Sequence, residues 1–252
     1  MKACVLIACF FVTGVVAFHP AIFAEPIGGN RIHAAELLSK GDPAGARLEL
    51  EARLREKPND DKAKLLLGVA LVRLSEQSDK AGDRAGAIAL DRQALALDPD
   101  EPYWHGVLAK LLHAQGNVEE ATKECSQAAQ LFPLDSDLAE GCGIRGKPTL
   151  AEDSSVPKVD PSAGVTPPVS MKRPEPPYSE KARSVALQGV TVLCIVINTH
   201  GKVEKAAVVR PLGLGLDENA VRTVRTWKFK PPLKDGTPIA VKVSVELSFR
   251  LF

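Results

Sequence analysis

Aromatic residues are scarce, at 5% of 252 residues, although 45% of the chain is hydrophobic. The core must therefore be packed by alanine, leucine and valine and not by ring clusters. The chain has five cysteines, and His33, His105, His113 and His200 are scattered, with no cysteine or carboxylate at ligand spacing. No metal site is expected from that pattern. No Gly-x-Ser-x-Gly, Walker or dinucleotide fingerprint occurs, and no nucleophile stands beside a base. Gly213-Leu-Gly215 is an isolated glycine pair that reads as a loop before a helix. These absences exclude the common hydrolytic, nucleotide-dependent and redox-cofactor chemistries, so the expectation is a protein that is not an enzyme and takes no cofactor. Dense basic clusters interleaved with aromatics are missing as well, which excludes nucleic acid as a partner.

Charge is present but unevenly placed. The formal net charge is +1. From Ser170 onward there are 14 Lys+Arg against 7 Asp+Glu, a net +7, which leaves 18 against 24 upstream, a net −6. A basic C-terminal part beside an acidic remainder fits contact with anionic lipid or attraction between the two halves.

A charge-free stretch follows Met1-Lys2 and runs from Ala3 to Phe18; Ala21-Ile-Phe-Ala24 then precedes Glu25. This is the pattern of an export signal over residues 1–24, cleaved after Ala24. An uncleaved inner-membrane anchor is the alternative, because about 20 apolar residues span a bilayer. Either reading puts the remaining chain in the periplasm.

Residues 25–145 carry a repeat. Gly41, Gly82 and Gly116 are each followed five residues later by Ala46, Ala87 and Ala121, and twelve residues after that by Pro58, Pro99 and Pro133. Glycine suits the turn between two antiparallel helices, alanine lets them approach closely, and proline ends the second helix. The extra residues of the middle unit, Glu76–Arg84, read as a polar loop. Helix pairs of this kind bury their faces only by stacking. The segment resembles the tetratricopeptide repeat family, which implies a concave groove that binds an extended peptide. Once residues 1–24 are removed, Cys125, Cys142 and Cys194 remain. Cys125 falls in the last repeat helix and Cys142 in the segment that should cap it, so a Cys125–Cys142 disulfide is expected in an oxidising compartment. Cys194 reads as a buried thiol in a strand. Residues 146–172, rich in proline and serine, read as an extended, solvated linker.

Residues 173–252 alternate between strand and helix signals. A short helix is expected from Glu180 to Leu187, a strand from Val190 to Asn198, a turn at Asn198-Thr-His-Gly201, and a returning strand from Val203 to Arg210. Asp217 is placed to cap a helix whose apolar stripe is Ala220, Val221, Val224 and Trp227, with Arg222, Arg225 and Lys228 facing water. Ile239 to Phe252 alternates strictly, with Lys242, Ser244, Glu246, Ser248 and Arg250 outward. The expected fold is multidomain: an all-α repeat array followed by a small α+β domain with a three-stranded antiparallel sheet and helices on one face.

This last stretch resembles the C-terminal domain of the TonB family. The resemblance rests on Tyr178 with Ala182-Arg183, Gln188-Gly-Val190, Asn198 to Val203, Leu216-Asp217, Ala220, Trp227-Lys-Phe-Lys-Pro231, Asp235-Gly236 and Phe249. It implies recognition of outer-membrane receptors, or other envelope proteins, by strand addition in support of energy-dependent transport. The implied contacts are Val203, Lys205, Ala207, Val209 and Arg210 on the edge strand, with Tyr178 and Arg183 beside the first helix. Ser179 stands where the family has proline. An uncleaved N-terminus would further imply inner-membrane motor proteins as partners. His19 has Val15, not serine, one turn before it, and the linker is short for the family's reach. An adaptor without energy coupling is therefore the alternative.

Overall fold

The structure, a computed structural model, describes residues 30–144, 148–159, 162 and 164–251. The expected export signal over residues 1–24 and its expected cleavage site lie outside the described residues.

Three helix pairs stack in order: α1 (Arg31–Ser39) with α2 (Pro43–Glu56), α3 (Asp61–Lys80) with α4 (Arg84–Leu97), and α5 (Pro102–Gln115) with α6 (Val118–Leu131). A one-turn helix, α7 (Ser136–Ala139), closes the array. The local chemistry sets these boundaries. The side chains of Asp42, Asp60, Asp83 and Asn117 accept from the backbone N–H three residues on, as N-cap residues do. Gly41, Gly82 and Gly116 take the left-handed conformation between paired helices. Ala46, Ala87, Ala94, Ala121 and Ala128 are fully buried at the crossings. Arg53, which replaces alanine in the first unit, reaches Asp60 at 2.5 Å. The middle unit differs from expectation: residues 76–80 are not loop but the last turns of α3, because the breaker is Gly82 and the next cap is Asp83.

The C-terminal part holds β1 (Val169–Lys172), α8 (Glu180–Ser184), β2 (Gly189–Ile197), β3 (Val203–Arg210), α9 (Leu216–Val224), β4 (Lys228–Lys230), the small hairpin β5 (Leu233–Lys234) and β6 (Thr237–Pro238), and β7 (Val241–Phe249). The central sheet is three-stranded and antiparallel in the order β3-β2-β7, and β1 pairs separately with β4. Leu193, Ile195, Ile197, Ala206, Val241 and Phe249 meet α9 and Trp227 in a core that continues into the repeat helices. Asp217 is not the N-cap of α9. Gly215 holds that position, and Asp217, fully buried, accepts from the N–H groups of Leu212 and Gly213 and from the Thr191 hydroxyl. It ties the β3–α9 loop to β2.

The linker departs most from the expected tether. Leu150 is buried with Cys194, Val196 and Ala207 on the second face of the sheet. Lys242, which alternation places outward, is 5% exposed. Its ammonium donates to the carbonyls of Leu150 and Ala151, at 3.3 and 3.0 Å, and to that of Asp153. Its own N–H donates to Pro157 O at 2.9 Å, and Lys158 bridges to it along the outer edge of β7. The sheet thus carries helices on one face and linker on the other. Alternation cannot reveal this, because a lysine under a loop and a lysine in water occupy the same phase of a strand.

Candidate partner-binding site

An outer strand offers every second N–H and C=O to a neighbour. β3 is such a strand, and its outward donors are identified by their contacts. Ala206 N donates to Ser136 Oγ at 3.2 Å, and Val208 N donates to Asp135 Oδ2 at 2.7 Å. The intervening residue, Ala207, pairs with Cys194 on β2. Thus the centre of β3 is not an open edge: α7 and its N-cap occupy it. Beside them Lys205 pairs with Glu140 at 2.9 Å. Of the expected contact residues, Val203 and Lys205 are half-buried, Ala207 is buried, and Val209 and Arg210 are exposed.

Tyr178 and Arg183 are brought together, with the guanidinium 5.5 Å from the ring centre. They are not brought to β3. Tyr178 packs edge-on against Phe249 of β7, at 5.8 Å between ring centres, and its hydroxyl donates to Leu187 O. Arg183 remains exposed and lies 3.7 Å from Glu180. Cys125 and Cys142 form a disulfide with Cα atoms 5.9 Å apart, which fastens the segment after α7 to α6. Cys194 is a buried free thiol.

Other residues, outside the expected contact set, hold the repeats against the C-terminal domain. Asp98 pairs with Lys181 at 2.9 Å. Arg225 donates to Leu134 O at 3.1 Å, and the Arg222 guanidinium lies 5.0 Å from the Phe132 ring centre. Both arginines are exposed, as expected, and each also reaches the repeat array. Glu101, 1% exposed, accepts from Leu214 N at 3.2 Å. Its other oxygen and one oxygen of Glu218 are buried without a hydrogen bond. Burial, reinforced by repulsion from Glu218, holds the Glu101 carboxyl well above its ordinary range; burial, reinforced by repulsion from Asp217, pushes that of Glu218 up to about 7. Burial likewise raises Asp135 to about 6, against the pull of the N–H groups it accepts from.

The side of the array formed by α3 and α5 meets its own chain at the junction. Trp104 and Val69 face the loop at Gly213, and a cleft of about 340 Å³ opens between α3 and Arg210-Pro211. Arg73, Glu76 and Lys80 line it, so the extra turns of α3 form part of the junction. Among the described residues no group of three or more His, Cys, Asp or Glu is placed to hold a metal ion. Nor is any described helix long and apolar enough to cross a membrane.

Comparison with known proteins agrees with this division. Residues 174–251 match the family model for the Gram-negative bacterial TonB protein C-terminal, and residues 80–141 match a tetratricopeptide repeat model. Protein TonB of Vibrio cholerae serotype O1 (strain ATCC 39315 / El Tor Inaba N16961) is 28% identical over 78 residues, which are 31% of this chain and 32% of that protein. The chain therefore spans about a third of that relative's length. Among solved structures, an O-GlcNAc transferase mutant from Thermobaculum terrenum is similar at 30% identity and a TM-score of 0.30, over 41% of this chain and 18% of that one. The solution structure of the Pseudomonas aeruginosa TonB CTD is similar at 15% identity and a TM-score of 0.29, over 35% of this chain and 88% of that one.

Proposed function

We propose that this protein is a periplasmic recognition protein that binds extended segments of outer-membrane receptors, or of other envelope proteins, by strand addition to β3. The carrying observation is that β3 ends the sheet and its outward N–H groups bond to side chains, not to another strand. Side-chain acceptors can rotate away and be replaced by the carbonyls of an incoming segment, which would align with the ladder already present. These groups recognise and do not react, so the activity is binding, not catalysis. The Cys125–Cys142 disulfide supports an oxidising compartment.

An adaptor role without energy coupling is the second reading. The packed linker favours it: Leu150 and Lys242 hold residues 150–157 on the sheet, where a force-transmitting spacer would be extended.

Photocrosslinking in living cells separates the readings. A crosslinking residue at Val209, which is 52% exposed beside the edge, should capture the periplasmic segment of an outer-membrane protein. The same residue at Leu48, 70% exposed on the repeats, serves as control. Capture of soluble or inner-membrane partners at Val209 supports the adaptor. Equal capture at both positions rejects β3 as the site.

A further inference from the structure

We propose that the repeat array is a cis-acting mask: the segment Leu134–Glu140 closes the β3 edge, and a partner strand gains it only when the array lifts away. This rests on the reading of β3 as the recognition strand.

The mask imitates a strand without being one. Asp135 and Ser136 are consecutive, yet their side-chain oxygens reach two N–H groups that are two residues apart on β3. A neighbouring strand would present its carbonyls to those same donors. Asp135 does this with one oxygen while its other oxygen accepts from the N–H groups of Asp137 and Leu138 and starts α7. The start of α7 is thus built around the contact with β3. Glu140 adds the ion pair to Lys205, and Leu134 O accepts from Arg225.

Two features make the mask releasable. Its polar contacts to the strand come from side chains, and the ion pair is about half exposed, so water takes over these partners on opening at modest cost. Its neighbour at the junction is the buried acid pair Glu101 and Glu218, each with an orphan oxygen. An orphan buried acceptor penalises the closed state, because opening would hydrate it. The mask does not swing by itself, since the disulfide fastens it to α6; opening moves the array as a body.

The test uses the full chain and a pool of random decapeptides. An opened variant, Ser136→Ala/Glu140→Lys, removes one acceptor and sets lysine against Lys205, with no change to β3. Asp98→Lys, which confronts Lys181, opens the same junction from a second place. Circular dichroism and an intact Cys125–Cys142 bond verify folding; should one variant fail to fold, the other carries the test. Peptides selected on an opened variant should bind the wild-type chain about tenfold or more weakly, because the competent state is a minor fraction there. They should also protect the Ala206 and Val208 amides from exchange. Peptides that protect these amides but bind both forms equally would overturn the mask and leave strand addition standing. Peptides that bind elsewhere, or an absence of any binder to the opened forms, would overturn strand addition and the mask with it.

Discussion

Gly201 shows how far a single position can be read. It closes the β2–β3 turn at a φ of 72°, and a Cβ there would fall 1.9 Å from Phe229 O. Gly201→Ala should therefore cost about 2 kcal/mol or more, read from urea unfolding, through both strain and clash. The turn itself was legible, because a positive φ is a local demand written into local sequence. The clash was not, because Phe229 is distant in the chain. Buried acids show the same limit. Asp91, fully buried in α4, has no hydrogen bond on either oxygen. Ser75 faces it without bond geometry, so burial dominates and pushes the carboxyl up to about 8. Glu218 at about 7 and Asp135 at about 6 shift the same way. Ordinary carboxyls titrate near about 4 when unfolded. The folded state therefore holds more protons between those values, and the stability they supply is full below about pH 4 and lost as pH rises through about 6, 7 and 8. Melting temperature should fall from pH 5 to pH 8, and Asp91→Asn should flatten the upper part of that slope. A melting temperature that rises across this interval would contradict the assignment.

At the scale of elements, the repeat helices followed closely from their caps, glycine turns and small-residue crossings. So did the three-stranded sheet, from its alternating strands. The linker did not, because what orders it is the burial of Leu150 on the sheet and a lysine on a strand nearly a hundred residues away. Lys242→Met keeps the stem and removes the donor for three carbonyls. It should cost about 1–3 kcal/mol and make residues 150–157 the first site of limited proteolysis. The disulfide belongs to the same scale. It closes a loop over a separation of 17 residues, which corresponds to about 3 kcal/mol in the chain-entropy account. Cys125→Ser should lower the melting temperature. It should also speed amide exchange at Ala206 and Val208, because the mask would lose its fastening to α6.

At the scale of the molecule, the charge asymmetry was the one sequence signal of the docked arrangement. It shows as Asp98–Lys181 and Glu140–Lys205, acid on the repeats and base on the C-terminal domain. Which residues pair was illegible, since Asp135 and Val208 lie 73 positions apart and neither belongs to a motif. Each partly exposed ion pair is worth about 0.2–1 kcal/mol, so they orient the halves more than they bind them. The shared apolar core supplies most of the adhesion. The repeats cover the centre of β3, the strand we propose for recognition. Residue-resolved amide exchange on the intact protein tests it most directly, at Ala206 and Val208. Slow exchange is expected at both positions in the wild-type chain, and acceleration of about tenfold or more in Ser136→Ala/Glu140→Lys with β2 and β7 unchanged. Exchange in the wild type as fast as at an open edge, or rates indifferent to the variant, would contradict it.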